Sequence, residues 1–325
     1  MPRQLLLFAN FGGPRNLREI PAFLQMLLTD EEVIRTSLPK WLQDFFFRRL
    51  AKKRSFQVAR DYALIGGKSP IYEDTEWMAG AVAKRLSLPF LTFHRYLSAT
   101  HESFIEEIES TSAKEIVVFP LFPQFSYATT GSIARWFSEN LTEDTQEKLR
   151  WIRSYATHEK FISSHVGCIQ DFLEQNSLQQ ADTYLLFSAH GLPRAFIQQG
   201  DVYQSECEDS FHKIRAHFSF AESLLCYQSQ FGKEEWTQPY TSTLCKQLVK
   251  DKRKNAVCIP LSFTSDHIET LYEIEHLYLP IIRGSGLNAF RCPALNRREQ
   301  WLQTIGSIIQ EENTCCNQML IRRKK

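Results

Sequence analysis

Short runs of β-branched and aromatic residues alternate along the chain with segments whose apolar positions recur at helical spacing. That rhythm predicts βα units building a parallel sheet. Residues 5–11, 91–97, 115–122, 183–188, 224–228 and 256–263 read as strands. Residues 74–86, 101–110, 131–141, 158–175, 202–217, 239–250, 266–278 and 296–310 read as amphipathic helices. A polar stretch at 142–148, followed by a strand-like 150–155, divides this pattern into halves of similar content. The expected division is therefore a first α/β domain over 1–149, a second over 150–295, and a last helix from Asn296 packing across both, with a disordered basic tail at 321–325.

Composition narrows the function classes. The 325 residues carry 38 Lys+Arg against 37 Asp+Glu, a formal charge of +1, so no global field gathers a polyanion and no nucleic-acid partner is expected. The longest apolar runs, such as 256–263, are strand-sized and far below the ~18 apolar residues of a spanning helix. The first residues, MPRQLLLFANFGGP, are too short in apolar content for an export signal. Eight cysteines lie without C-x-x-C spacing, which reads as reduced thiols of a cytoplasmic protein. Cys315 and Cys316 are adjacent, poor geometry for two ligands of one metal, and read as tail residues.

Ligands of open parallel sheets bind beyond the carboxyl ends of the strands, so the residues just after each strand carry the candidate chemistry. His190 follows an apolar strand and precedes Gly191-Leu192-Pro193, a stiff setting for a base, a metal ligand or a capping histidine. Thr264, Ser265 and Asp266 can cap the following helix, placing His267 and Glu269 in its first turn. Two residues apart, these would not share a face, and Glu269 is the better candidate to point at His190. Glu273, four residues on, stacks over Glu269; the two carboxylates repel unless a cation or a shared proton intervenes, or they form a solvated acidic surface. An imidazole with carboxylates suits a borderline divalent metal such as ferrous iron.

Several familiar chemistries fail on spacing. Gly12-Gly13-Pro14 lacks G-x-G-x-x-G, Gly67-Lys68-Ser69 lacks the earlier glycine of a P-loop, and Ser188 is in no G-x-S-x-G elbow. The stretch at 41–54, WLQDFFFRRLAKKR, mixes aromatic and basic residues. It is either a core helix with solvated cations or a lip that meets lipid and an acidic apolar ligand.

Assembled, these segments resemble the ferrochelatases, which insert ferrous iron into protoporphyrin IX. The likeness runs from about Leu5 to about Asn296. It is carried by YALIGGKSPI at 62–71, FPQFS at 122–126 with TTGS at 129–132, FSAHGLP at 187–193, YQSQFG at 227–232 and FTSDHIETLYE at 263–273. The last three are closer to the protoporphyrin-using bacterial enzymes than to the coproporphyrin-using branch. The resemblance implies two Rossmann-like domains of parallel sheets flanked by helices, with a porphyrin cleft between them. It also implies that His190 and Glu269 face each other across the macrocycle, as proton acceptor or metal ligands. His267, Asp266 and Glu273 would stand behind Glu269 as an acidic track whose next position is Leu277. Phe11, Arg54, Tyr62, Ser69, Arg95, Tyr96 and Trp236 match porphyrin-contacting positions. The implied partners are protoporphyrin IX and ferrous iron as substrates, with a peripheral membrane contact as one use of residues 41–54. No tightly bound cofactor is implied. Where some members hold a [2Fe-2S] cluster, this sequence has Tyr127 and only two tail cysteines, so no such cluster is expected. The sequence carries no signal for oligomeric state.

Overall fold

The structure is a computed structural model that describes residues 4–36, 39–249, 252–311, 314–315 and 320–322. The chain divides into two compact units, residues 1–154 with 305–325, and residues 155–304.

The first unit is built on strands β1 (Gln4–Asn10), β2 (Phe90–His94), β3 (Glu115–Pro120) and β4 (Leu149–Ile152), in the order β2-β1-β3-β4 and all parallel. β1 and β3 are buried almost throughout, as a parallel strand covered by helices on both faces must be, and this explains their unbroken apolar runs. The aromatic side chains of Phe93, Phe104, Trp136, Phe137 and Trp151 form much of the core on one face. Residues 314–315 add a short antiparallel β5 to the edge of β4. Of the strand-like residues at 150–155, those up to Ile152 belong to the first sheet, where Leu149 to Trp151 pair with β3; the unit ends at Ser154 and Tyr155 opens the second.

The second unit carries β6 (Thr183–His190), β7 (Glu222–Gln228), β8 (Asn255–Pro260) and β9 (Asn288–Arg291). Their order is β7-β6-β8-β9, again parallel. β9 has no counterpart among the expected strands: it is four residues long and only one of them is buried, so it shows no apolar run. Two helices were likewise unread or read short, Ile20–Leu28 and Lys40–Leu64. The second runs 25 residues because it has no internal proline or glycine to stop it.

The last helix, Glu299–Gln310, crosses the boundary between the units. Its Trp301 packs on Tyr155 and Phe161 in the second unit, and Gly306 approaches Leu86 in the first. Cys168, Cys207, Cys226, Cys245, Cys258 and Cys292 are buried free thiols. The side chain of Cys315, all of Cys316, and residues 323–325 of the expected tail lie outside the described residues.

One buried group in this core titrates. His165 is enclosed beside Phe161, and burial alone pushes its pKa down to about 4. The unfolded chain takes up that proton near the ordinary value of about 6.5. Stability is therefore full above about pH 6.5 and falls as the pH drops toward 4, by at most ~3 kcal/mol from this group. Denaturant unfolding at a series of pH values should show this slope in the wild type and a shallower one in His165→Met; equal slopes would remove His165 as its source.

Candidate active site

β6 ends at His190, and the chain after β8 turns into a helix whose first residues come to meet it. The turn is held by side chains. Thr270 Oγ1 accepts from the His267 amide at 3.0 Å and donates to Asp266 Oδ1 at 2.7 Å. The helix that follows, Glu269–Tyr278, is a π-helix, closing with the Leu279 amide on the Ile274 carbonyl five residues back. Wide turns of this kind recur at functional sites.

Glu269 Oε2 lies 2.8 Å from His190 Nδ1 and 3.8 Å from His267 Nε2. His267 precedes the helix instead of sitting in its first turn. Its Nδ1 lies 3.2 Å from the Ser265 carbonyl, and the ring folds back toward the same carboxylate, which spacing within a helix would not allow. The expected arrangement of His190 and Glu269 on opposite faces of a macrocycle is not what the structure shows. A ring stacked between two groups needs roughly 7 Å, twice a van der Waals contact of ~3.5 Å, and a 2.8 Å hydrogen bond leaves no such gap. The two groups form one pair on one side.

Glu273 is bound differently. Its Oε2 accepts from Ser229 Oγ at 2.7 Å and from Gln228 Nε2 at 3.1 Å, and the same Gln228 nitrogen donates to the Glu269 carbonyl at 2.8 Å. Gln228 in turn accepts from Ser188 Oγ at 2.7 Å. Gln228 and Ser229 lie in the YQSQFG segment, yet nothing in that segment's spacing gave either a role. Asp266 turns away from the pair. Its oxygens take Thr270, Arg291 Nη1 at 2.8 Å and Asn296 Nδ2 at 2.8 Å, so it anchors the loop after β9. Leu277 is exposed. The Trp236 ring stands 6.2 Å from that of His190, tilted by 64°.

The electrostatics push these groups apart. Burial works against a charged His190, but the field and hydrogen bond of Glu269, with Glu273 behind, raise its pKa above the ordinary value. Burial alone would raise Glu269; the imidazoles of His190 and His267 overcome it and hold the carboxyl well below the usual range. Glu273 is pushed up to about 7 by burial and by the Glu269 charge, against the opposing bond from Ser229. Two carboxylates one helical step apart thus differ in kind, one fixed as an anion and one that exchanges its proton near neutrality. His190 Nε2 makes no hydrogen bond among the described residues, so with Nδ1–H held by Glu269 the lone pair of Nε2 is presented outward.

The first unit carries a second cluster. Arg95 and Tyr96 follow β2, and both bind Asp30 Oδ2, each at 2.8 Å, while Ser132 Oγ donates to the same oxygen. Arg95 Nε also donates to Ser132 Oγ at 2.9 Å. Phe11 packs edge-on against Tyr96 and Phe122. Asp30 was missed because a lone acid after an apolar helix has no spacing signal. Ser69 is buried against Gly13, where a Cβ would stand 2.6 Å from the serine, and its amide binds the Pro14 carbonyl at 2.8 Å. Tyr62 is buried in the helix Lys40–Leu64, and Arg54 is half-buried on it.

Comparison with known proteins identifies the architecture. A ferrochelatase of Chlamydia muridarum (strain MoPn / Nigg) is 42% identical over 304 residues, 94% of this chain and 93% of its own. One of Chlamydia pneumoniae is 40% identical over 319 residues, 98% and 96% of the two chains. The family profile described as Ferrochelatase matches residues 4–313. The chain belongs to the ferrochelatase family. Among solved structures, SirB from Bacillus subtilis with Fe3+ shares the fold with a TM-score of 0.58 at 12% identity, over 96% of each chain. CbiX, the terminal enzyme for siroheme biosynthesis in denitrifying bacteria, does so at 0.54 and 14%, over 95% of this chain and 98% of its own. As a ferrochelatase the chain handles iron as a substrate. Among the described residues no three His, Cys, Asp or Glu side chains are grouped to hold a metal ion.

If His190 must be neutral to act, porphyrin metallation rises with pH through a midpoint above about 6.5, the ordinary histidine value. Glu269→Gln removes the charge that lifts it, leaving burial to lower it. Anaerobic initial rates across pH 5.5 to about 8.5 should show the midpoint falling in that variant; an unmoved midpoint would separate the profile from this pair.

Proposed function

We propose that the chain catalyses its family's reaction, insertion of ferrous iron into protoporphyrin IX to give protoheme, with His190 as the group that accepts the pyrrole protons. The observation that carries this reading is the 2.8 Å contact between His190 Nδ1 and Glu269 at the end of β6, in a chain matched by the family over residues 4–313.

The reaction releases two protons as the metal enters. A porphyrin held out of plane exposes its nitrogen lone pairs, at a strain of ~1–5 kcal/mol supplied by contacts distant from the nitrogens. His190 Nε2 takes the first proton while its Nδ1–H stays on Glu269, whose negative charge compensates the imidazolium as it forms; Nε2 then gives that proton up to water and takes the second. His267, whose Nε2 lies 3.8 Å from the same carboxylate oxygen, and Gln228, on the backbone carbonyl of Glu269, keep the carboxylate aimed. Glu273, poised near pH 7, passes protons onward. Asp266 is the anchor of this turn.

Of the matched positions, the porphyrin contacts fall to the partly exposed Phe11, Arg54, Arg95 and Trp236, while Tyr62, Ser69 and Tyr96, buried in this structure, support the site from behind. Phe11 has no ligating atom and serves as packing surface. The Asp30 carboxylate fixes the orientation of the Arg95 fork toward a propionate. We further place the protein in the cytoplasm with a peripheral membrane contact on the helix Lys40–Leu64. It exposes Trp41 at 73%, Phe45, Phe46 and Phe56 at 74%, beside the exposed cations Arg48, Arg49, Lys52 and Lys53. Aromatic bodies flanked by cations suit the interface of an anionic bilayer. No helix among the described residues is long and apolar enough to cross a membrane.

His190→Ala should lower the metallation rate of protoporphyrin by ~10²-fold or more with the fold intact by circular dichroism; near-normal turnover would end its role as base. Turnover only with sirohydrochlorin or coproporphyrin would overturn the assignment of substrate. Co-sedimentation with phosphatidylserine vesicles should weaken in Trp41→Ser/Phe45→Ser and in high salt. Equal sedimentation of both proteins would exclude the helix Lys40–Leu64 as the contact.

A further inference from the structure

The loop that carries Asp30 is fastened from a second side. Glu32 is buried at 1% exposure. One of its oxygens takes Arg135 Nε and the other takes Arg322 Nε at 2.9 Å. The Arg322 carbonyl in turn accepts from Arg135 Nη2 at 2.6 Å, closing a ring of three residues. Arg35 Nη2 stands 3.9 Å from the same Glu32 oxygen as Arg322, an ion-pair distance. Leu320 is fully buried in the core of the first unit, with Ile321 packed against that core. The segment passes so close to the helix Ser132–Asn140 that a Cβ on Gly131 would stand 2.8 Å from the Leu320 carbonyl oxygen.

These contacts converge on the cluster around Arg95. The Glu32 amide donates to Asp30 Oδ1 at 2.8 Å. The other oxygen of Asp30 holds Arg95, Tyr96 and Ser132, and Ser132 adjoins Gly131. Residues 320–322 therefore grip both elements that hold the Arg95 guanidinium, the loop at Glu32 and the helix start at Gly131 and Arg135.

We propose that residues 320–322 are a strap that positions Arg95 for the porphyrin, with Arg322 as its positioning residue. The inference rests on the reading that Arg95 contacts the porphyrin. Loss of Arg322 takes a 2.9 Å hydrogen bond and a positive charge from a buried carboxylate, a change relieved by moving the loop or admitting water. Either displaces Asp30, and the Arg95 fork loses the acceptor that aims it. Binding suffers more than chemistry, because the hydrogen bonds of Arg322 go to Glu32 and Arg135, beside the Arg95 cluster.

The test is steady-state metallation with Arg322→Ala, Arg322→Lys and Arg95→Ala beside the wild type, together with thermal unfolding of each. Arg322→Ala is expected to raise the porphyrin KM about 5- to 10-fold, about 1 to 1.4 kcal/mol, with kcat and the iron KM within about twofold. Arg322→Lys should recover most of the affinity, since it restores a cation to Glu32. An Arg322→Ala protein that melts earlier but keeps its porphyrin KM, while Arg95→Ala raises it, overturns the strap and leaves the Arg95 reading standing. An unchanged porphyrin KM in Arg95→Ala overturns the reading beneath it. Should Arg322→Ala not fold, Arg322→Gln, which keeps length and a donor, is judged by the same criteria.

Discussion

Two titratable groups 2.8 Å apart cannot be assigned their protons independently, and His190 with Glu269 is such a pair. The carboxylate keeps Nδ1 protonated, which leaves Nε2 as the only basic atom of the ring. It also makes the ring more basic than its half-buried surroundings would allow. The cost of an ionised Glu269 in that environment is met by two imidazoles, and repulsion from the second carboxylate is relieved below about pH 7, where Glu273 holds its proton. Remove the pair and the opposed shifts of His190 and Glu269 go with it.

The first unit solves a related problem with guanidinium groups. Asp30 and Glu32 are buried carboxylates two residues apart, each compensated by guanidinium groups, from Arg95 for the one and from Arg135 and Arg322 for the other. Such a network contributes little net stability, because desolvation offsets much of the attraction. Its value is geometric: a carboxylate that accepts from an arginine, a tyrosine and a serine at once permits few orientations of any of them.

Much of this was legible in the sequence, for identifiable reasons. Strands buried on both faces announce themselves as apolar runs, so β1, β3, β6 and β8 were read nearly to their ends, and the rule that chemistry follows the strand pointed to His190 and Arg95. Glu269 was expected to meet His190 because of its place near the helix start. The edge strands β2 and β7 were read, but β9 is mostly unburied and β5 is two residues long, so neither of these leaves a pattern. What periodicity could not supply was direction. It placed Asp266 and His267 beside Glu269 in the chain, but not that Asp266 turns to Arg291 and Asn296 while His267 folds back. Pairings over long separations, Asp30 with Arg95 or Glu32 with Arg322, have no local signature at all.

The π-helical winding of Glu269–Tyr278 makes the aim of its acids a property of backbone count as much as of residue identity. An α-helix advances about 100° per residue, and the extra residue accommodated in each π turn is absorbed without breaking the helix. Deleting one residue between Glu269 and Glu273 would let the segment relax to ordinary winding. Every side chain beyond the deletion would swing round the axis, and Glu273 would leave Ser229 and Gln228 although both remain in place. Such a chain would keep its complement of carboxylates and lose their registry, so an insertion or deletion here is graver than any single replacement of the intervening Thr270, Leu271 or Tyr272.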